Sequence, residues 1–308
     1  MNNQAPDLSI CIVTYQVQDL LRACLRSVYK NTNQDASFPC SFEIIITDNG
    51  STDGTVEMLR AEFPEVLIIV NGQNLGYTVP MNQALRKGSG RYLLQLNPDT
   101  LVNPGALDRL VRYLDTHADV GICGPKVLNP DGSLQKPCRR GDPRPWAVFS
   151  YFSGLSKRFP KSRFFGEYLM NYMDENQTHL VAGVSGSCML IRRAVVEQIG
   201  YLDELFFAYQ EDADFCFRAR QANWLVVYYP ESQIIHYGGL GGSRVEPYRS
   251  IYQWHRSYYL YYRKTFAKDY FFLLNWGYYL AMLLKLLFAL LANAFRKGKF
   301  APRRKPHV

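Results

Sequence analysis

The strongest constraint on the fold comes from the first 128 residues, where short apolar runs alternate with segments of helical periodicity. The candidate strands lie at residues 8–15, 42–48, 66–70, 92–96 and 120–124. The candidate helices between them lie at residues 19–30, 55–62, 79–87 and 105–116. Strands that are apolar on both faces are typical of parallel sheets covered by helices. The pattern therefore predicts an α/β, Rossmann-like fold with a mostly parallel central sheet and flanking helices.

The residues that end each strand are the candidates for function, because parallel sheets bind ligands beyond the carboxyl ends of their strands. The first strand runs into Thr14 and Tyr15 without a glycine cluster, which argues against a dinucleotide-binding dehydrogenase. The second ends at Asp48, which could accept hydrogen bonds from a nucleobase or a ribose, or form a turn. The fourth is followed by Asp99, five residues too early to cap the next helix. A carboxylate at this edge suits a divalent cation that also holds a diphosphate.

A second group of acids lies at residues 211–214, with the sequence EDAD. A carboxylate within hydrogen-bond reach of a hydroxyl can take its proton as a general base. Acids at the start of a helix are also favoured by the helix dipole. Three acids in one first turn exceed what that effect requires, which favours a functional role for Glu211 and Asp212.

Together these segments resemble glycosyltransferase family 2, with its GT-A nucleotide-sugar fold, and within it the rhamnosyltransferase-like branch of bacteria. The motifs that carry the resemblance are ICIVTY at 10–15, DNGSTDGT at 48–55, NLG at 74–76, LNPD at 96–99, GSCMLIRR at 186–193, FFAYQEDAD at 206–214 and IIH at 234–236. They cover about residues 8–245 in the order and spacing of that family.

The resemblance implies transfer from a nucleoside-diphosphate sugar with inversion, and a divalent metal, Mg²⁺ or Mn²⁺, that stabilises the leaving diphosphate. It implies a nucleotide site formed by Thr14, Tyr15, Asp48, Asn74, Gly76 and Asn97. It assigns Asp99 and His236 to the metal, and proton abstraction to Asp212 or, alternatively, Glu211. Asn97 stands where the family has the first acid of its DxD motif, as is usual in this branch.

Composition and motifs divide the chain into a catalytic domain at 1–245 and an extension at 246–308. The catalytic domain comprises a nucleotide-binding half at 1–128, an insertion at 129–180 and an acceptor and catalytic half at 181–245. The insertion is rich in Pro, Gly, aromatic and basic residues, and we expect it to be long and partly ordered. In the acceptor and catalytic half we expect an apolar run at 181–191, helices near 193–199 and at 212–221, and strands at 225–229 and 233–236. The extension is expected to be an aromatic-rich, membrane-associated helix with a basic tail.

The net charge of +8 is concentrated in two places. Residues 126–163 hold nine Lys and Arg against two acids, and the last thirteen residues hold six and no acid. Such charge suggests phosphate groups, anionic lipid or nucleic acid as a partner. No recognisable reading motif accompanies it, so we do not expect nucleic acid. We interpret the basic insertion, with Arg139 and Arg140, as a site for a lipid-linked diphosphate acceptor; a solvated loop is the alternative.

Residues 270–295 contain Lys285 as their only charge. As a helix of about 39 Å they could span a bilayer, lie in its interface or pack in a core. Nucleotide sugars are cytosolic, so we expect the catalytic domain before this segment in the cytosol. Basic flanking residues also favour the cytosol, so we expect the tail after the segment on the same side of the membrane. That favours an interfacial or re-entrant helix with Trp276, Tyr278 and Tyr279 at headgroup depth. Scattered cysteines and an N-terminus without a signal-peptide layout favour the cytoplasm, with peripheral or monotopic attachment to the inner face of the membrane.

The expected function is transfer of rhamnose or another hexose from a dTDP- or UDP-sugar to a lipid-linked or polysaccharide acceptor, in the synthesis of a cell-surface glycan such as O-antigen. A catalytically silent nucleotide-sugar-binding or scaffold protein of the same fold is the alternative. It would be favoured if Asp99 and Asp212 proved dispensable.

Overall fold

The computed structural model describes residues 5–32, 40–239 and 242–295. The strands in these ranges are β1 (Leu8–Thr14), β2 (Phe42–Asp48), β3 (Leu67–Val70), β4 (Tyr92–Leu96), β5 (Thr100–Val102), β6 (Val120–Leu128), β7 (Arg139–Arg140), β8 (His179–Leu180), β9 (Gly183–Val184), β10 (Cys188–Arg192) and β11 (Leu225–His236). The α-helices are α1 (Gln18–Asn31), α2 (Thr55–Glu62), α3 (Thr78–Lys87), α4 (Ala106–Thr116), α5 (Pro145–Phe152), α6 (Leu155–Arg158), α7 (Arg163–Gly166), α8 (Arg193–Ile199), α9 (Glu211–Gln221), α10 (Gly242–Val245), α11 (Pro247–Thr265) and α12 (Phe272–Phe295).

Nine of the strands form one central sheet with the order β3-β2-β1-β4-β10-β6-β11-β5, and β8 pairs with β11. Strands β1 to β4 pair in parallel, and β6 pairs in parallel with β11. Strand β10 runs against both β4 and β6, while β5 and β8 run against β11. The mostly parallel α/β sheet that the sequence predicts is confirmed.

The core lies on this sheet because its central strands are apolar on both faces. Every residue of β1 and of β4 is buried. Helix α4 buries Leu107, Leu110, Val111 and Leu114, which recur at the spacing of a single helical face. Helix α4 therefore covers the sheet with one apolar stripe, and Asp108 in its first turn is buried with it.

Several element boundaries differ from the sequence prediction. Strand β11 is one strand of 12 residues where two were expected. A register shift between Tyr229 and Gln233 lets the strand continue past Pro230, a residue that normally ends strand pairing. Strand β6 continues to Leu128, the apolar run at 181–191 divides into β9 and β10, and the three-residue β5 was not predicted.

The insertion at 129–180 adopts defined structure along its length, with two short strands and helices α5 to α7. Its basic residues hold it in place. Arg139 is buried and donates to the backbone carbonyls of Met173 and Asp174, and Lys126 bonds Glu175. These side chains supply hydrogen bonds that a Pro- and Gly-rich backbone does not make for itself, and the degree of order in the insertion stays a prediction.

Helices α11 and α12 pack against each other as an antiparallel hairpin. The rings of Tyr262 and Tyr278 stack with centroids 3.9 Å apart, and the Tyr262 hydroxyl donates to Asn275 Oδ1. Among the described residues, α12 is the helix long and apolar enough to cross a membrane by length and composition. The predicted apolar helical extension is confirmed.

The aromatic residues expected at headgroup depth divide into two groups. Trp276 is exposed, whereas Tyr278 and Tyr279 pack on Tyr262 and Tyr259 of α11, and the depth of all three in a membrane stays a prediction. The basic tail at 296–305 lies outside the described residues.

Candidate active site

A cleft of about 630 Å³ opens at the carboxyl ends of the parallel strands. Its walls come from the strand-end loops, from residues 135–169 and from the start of α11. The predicted site residues that line it are Tyr15, Asn74, Gly76, Asn97, Asp99, Glu211, Asp212 and His236. Asp99 and Asp212, on which the predicted chemistry depends, therefore share one cavity although they are far apart in the sequence.

Two predicted nucleotide contacts, Thr14 and Asp48, are buried beside the cleft and are not among its lining residues. They are register partners at the ends of β1 and β2. Asp48 Oδ2 accepts from the backbone N–H groups of Gly50 and Ser51, at 3.2 and 3.0 Å. Among the described residues, Thr14 Oγ1 and Asp48 Oδ1 have no hydrogen-bond partner. Asp48 therefore stabilises the turn that follows β2, and its contact with a nucleotide stays a prediction.

Asp99 and His236 meet because β11 pairs with β5, which sets His236 opposite Thr100. His236 Nε2 lies 3.1 Å from Asp99 Oδ1, and His236 Nδ1 lies 2.7 Å from Gln135 Oε1. Because an amide oxygen only accepts, Nδ1 carries the proton of the neutral ring and Nε2 turns its lone pair to Asp99. Two acceptors facing each other are stabilised by a cation or a proton between them.

This donor set fits a hard divalent cation that is held partly by its substrate. Asp99 offers an oxygen and His236 a nitrogen, and the hydrogen bond from His236 to Gln135 is the usual support of a metal-ligating histidine. Magnesium takes six ligands and commonly draws several from phosphates and water. In the part of the chain that the structure describes, no group of three or more His, Cys, Asp and Glu could hold a metal by itself. A diphosphate would have to complete the shell.

The loop at 74–76 is held close to the cleft by Asn49. Asn49 Nδ2 donates to Asn74 Oδ1 at 2.9 Å and to the Gly76 carbonyl at 2.7 Å. Gly76 has a φ of +90°, and a Cβ there would lie 2.4 Å from the carbonyl oxygen of Phe207. Glycine is therefore required at this position for the segment that precedes α9 to approach the strand ends.

Asp212 lies in the first turn of α9 with three hydrogen-bond donors around its carboxylate. Its Oδ2 accepts from Arg140 Nη2 at 2.6 Å and from the Gly186 N–H at 2.8 Å. Its Oδ1 accepts from the Ala213 N–H at 2.7 Å. The guanidinium, the backbone donors and the positive end of the helix all stabilise a negative charge on this side chain.

Glu211, the adjacent acid, has a different environment. It is buried, and its Oε2 has no hydrogen-bond partner within the described ranges. Burial raises the pKa of Glu211 to about 8, and the charge of Asp212 adds to the shift. At neutral pH Glu211 is therefore mainly protonated. Two neighbouring acids whose environments separate their charge states are typical of acid–base sites.

The backbone before α9 is strained. Tyr209 and Gln210 have φ values of 68° and 64°, in the left-handed region that residues with side chains rarely adopt. Each such residue costs on the order of 1–3 kcal/mol, and such strain is concentrated at functional sites. Here it aims Glu211 and Asp212 into the cleft.

The family model described as glycosyl transferase family 2 matches residues 9–200, which include β1 to β10. The chain belongs to glycosyltransferase family 2.

Named relatives of this family 2 glycosyltransferase agree with an enzyme of glycan synthesis. The N-acetylglucosaminyl-diphospho-decaprenol L-rhamnosyltransferase of Mycobacterium tuberculosis is 28% identical over 266 residues, which cover 82% of this chain and 83% of that protein. The low-salt glycan biosynthesis hexosyltransferase Agl10 of Haloferax volcanii is 27% identical over 85% of this chain and 78% of its own.

The fold of the family 2 chain also matches a solved structure. The mannosyltransferase PcManGT from Pyrobaculum calidifontis, solved with GDP-Man and Mn²⁺, superposes with a TM-score of 0.55 and 17% identity. The match covers 96% of this chain and 77% of that one. This likeness supports the GT-A fold that the sequence motifs imply.

Three residues of this glycosyltransferase's cleft were missed, or given another role, by sequence reasoning. Gln135 orients His236, and Arg140 pairs with Asp212 rather than standing free for an acceptor. Glu246, at the start of α11, accepts from the Tyr15 hydroxyl at 3.0 Å and from Asn74 Nδ2 at 3.3 Å. No local pattern marks these positions, because each partner comes from a distant segment.

Arg139 requires a correction. The acceptor hypothesis grouped it with Arg140, but its guanidinium is buried against the ring of Tyr228, 4.7 Å from the centroid. Arg139 does not line the cleft, and its role is to hold the insertion in place.

Proposed function

We propose that this glycosyltransferase moves rhamnose or another hexose from a dTDP- or UDP-sugar to a lipid-linked glycan acceptor, with inversion at the anomeric carbon. The observation that carries the proposal is that Asp99 and the charge-stabilised Asp212 line one cleft. The printed names of the relatives, a diphospho-decaprenol rhamnosyltransferase and a hexosyltransferase of glycan synthesis, support the substrate class.

The donor end of the cleft is the side of Asp99 and His236. These two residues would hold Mg²⁺ or Mn²⁺, and the metal would stabilise the charge that develops on the leaving diphosphate. Gln135 keeps His236 in the tautomer whose Nε2 lone pair could bind the ion, in place of its 3.3 Å contact with Asn97 Nδ2. The nucleotide would lie against Thr14, Tyr15, Asp48, Asn74, Gly76 and Asn97.

The acceptor end is the side of Asp212. Arg140 and the Gly186 N–H hold its Oδ2, while Oδ1 accepts one hydrogen bond and has a second lone pair for a sugar hydroxyl. Asp212 takes the proton as the hydroxyl oxygen attacks the anomeric carbon and the bond to the diphosphate oxygen breaks on the opposite face. Glu211 is mainly protonated at neutral pH, so only a minor fraction of it could accept this proton. The ionisation difference favours Asp212 as the base.

Attachment to the inner face of the membrane is supported by α12. Its exposed large side chains are Phe272, Leu273, Leu274, Trp276, Leu280, Leu283, Leu284, Leu287, Phe288, Leu291 and Phe295. By helical periodicity all but Leu274 fall on one half of the helix surface. Asn275, Tyr278 and Lys285 lie on the other half and contact α11. The exposed face of α12 is uncharged, and the opposite face makes polar contacts with α11. This arrangement suits a helix that lies in the membrane interface rather than one that is surrounded by lipid.

The base assignment is tested by Asp212→Asn. Transfer should fall at least about 10³-fold, because the amide cannot accept the proton, while donor binding is retained. Turnover and donor titration calorimetry measure the two effects, and NMR of the wild-type product reads the anomeric configuration. Asp119→Asn, an exposed acid outside the cleft, is the matched control. An Asp212→Asn enzyme that keeps wild-type turnover would refute the assignment.

The donor is identified by a thermal-shift screen of nucleotide sugars with and without Mn²⁺ or Mg²⁺. We expect a dTDP- or UDP-sugar to raise the Tm only when the metal is present. A catalytically silent protein of the same fold would show such binding without turnover in any combination of donor and acceptor.

A further inference from the structure

Helices α5 to α7 carry a second exposed apolar surface, separate in sequence from α12. Trp146, Phe149 and Phe164 are 38%, 57% and 62% exposed. Their rings contact one another, with centroids 5.7 Å apart for Trp146–Phe149 and 4.8 Å for Trp146–Phe164. Trp146 Nε1 also donates to the Phe164 carbonyl. These residues form one continuous patch, and patches of this kind mark interaction sites on soluble domains.

The segment that carries this aromatic patch is basic. Residues 144–166 contain basic side chains and no acid. The basic residues are Arg144, Lys157, Arg158, Lys161 and Arg163, of which all but Arg144 are exposed. Aromatic rings bordered by lysine and arginine are the composition of elements that bind anionic lipid surfaces.

Helix α5 contacts the C-terminal hairpin near both of its ends, and at α12 it does so through Lys285, on the half of the helix that faces α11. Arg144 Nη1 is 3.4 Å from Asp269 Oδ2, just before α12. At the other end of α5, Lys285 Nζ lies 4.6 Å from the ring centroid of Phe152 and 3.8 Å from that of Trp254. Helices α5 and α12 are therefore neighbours.

The same contact point is part of the cleft wall. Tyr151 and Phe152, at the end of α5, and Trp254, on α11, line the cleft that contains Asp212. Phe152 is also 46% exposed, and Lys285 of α12 lies 4.6 Å from the centroid of its ring. An aromatic wall thus leads from the acceptor end of the cleft to the place where α5 and α12 meet.

We propose that helices α5 to α7 form a second membrane contact beside α12, and that the lipid chain of the acceptor reaches the cleft along Tyr151, Phe152 and Trp254. The lipid route rests on the proposed function, whereas the membrane contact does not. A lipid-linked acceptor must bring its sugar to Asp212 while its chain stays out of water, since each exposed methylene costs free energy. A cleft that opens at the lipid surface satisfies both conditions.

The membrane contact is tested in the full chain with an environment-sensitive dye on Phe149→Cys. Vesicles of phosphatidylglycerol and phosphatidylcholine should shift its emission to the blue. The same dye on Leu67→Cys, at the start of the edge strand β3 and 44% exposed in the native side chain, should not respond. An unchanged signal at position 149 while the protein floats with the vesicles would overturn the contact. A blue shift that depends on protein concentration without vesicles would assign the patch to a second copy, which also overturns it.

The lipid route is tested with the double variant Phe149→Ser and Phe164→Ser, against Leu67→Ser. With a polyprenyl-diphosphate-linked acceptor in vesicles, we expect kcat/KM to fall at least fivefold in the double variant. With a water-soluble short-chain analogue the change should stay below twofold. Equal losses on both acceptors would overturn the route. If the wild type transfers to neither acceptor, the proposed function and the route fail together, and the dye still decides the membrane contact.

Discussion

At the floor of the cleft Asp99 and Asp212 are buried, and each bonds a partner from a distant part of the chain. At the rim, α5 and α12 present rings and leucines to the outside, with Phe288 73% exposed. A change at the floor leaves a buried polar group without its partner, which affects chemistry and stability together. A change at the rim leaves the fold intact and alters where the protein binds. The two regions therefore divide catalysis from positioning.

The largest effect is expected at the floor, from Asp99→Ala. Loss of the carboxylate should reduce transfer at least about 10³-fold and abolish the metal-dependent Tm shift by the donor. Gln135→Leu, which removes only the support of His236, should weaken metal affinity about 10- to 100-fold. Metal titrations of turnover measure both. If Asp99→Ala kept its metal dependence, the cation would have to lie elsewhere.

Arg140→Gln should lower kcat by about 100-fold, because the carboxylate of Asp212 loses its charged partner. Arg140→Lys, which keeps the positive charge, should restore part of kcat. A thermal melt checks the folded fraction, because breaking a buried ion pair costs about 3–5 kcal/mol. A loss of kcat that tracks the loss of folded protein in the melt would make Arg140 a structural residue only.

At the rim, Leu284→Ser with Phe288→Ser should reduce binding to anionic vesicles roughly tenfold, because apolar area is lost from the contact. Turnover of a soluble acceptor should stay within about twofold of wild type, since neither residue lines the cleft. Flotation and steady-state assays measure the two. If the double variant floated with vesicles as the wild type does but lost turnover of the soluble acceptor, these two residues would serve catalysis rather than membrane binding.

The smallest effect concerns Glu211→Gln. The folded protein holds a proton on Glu211 up to a pKa of about 8, whereas the unfolded chain releases it near the ordinary value of 4.5. The folded state thus binds more protons between these values, so the stability of the wild type falls as the pH rises through this window. The glutamine side chain does not ionise, so the stability of the variant does not fall in this way as the pH rises. We expect equal Tm values below pH 4.5 and a Tm at least about 3 °C higher for the variant at pH 8.5. Parallel Tm curves from pH 4 to pH 9 would contradict the raised pKa.

The sequence predicts those features that depend on residues close together in the chain, and it misses those that depend on distant ones. The apolar strands and the acids at their ends are local signals, so the sheet, the family motifs and the shared cleft of Asp99 and Asp212 were within reach. Arg140 is 72 residues from Asp212, and Gln135 is 101 residues from His236. Such pairs are chosen by tertiary contact and have no periodicity. The path of β11 past Pro230 depends likewise on a register shift that only the neighbouring strand defines.

The reversed strand β10 has a consequence for how the chain is made. Strands β4 and β6 precede it, yet β10 lies between them in the sheet. During synthesis β4 and β6 each keep an unpaired edge until residue 192 has emerged from the ribosome. This happens about 3 to 13 seconds after residue 128, at roughly 5–20 residues per second. Open edges recruit other chains. Fragments that end between these two residues should therefore aggregate, and a nascent chain should need protection most while this interval is being translated.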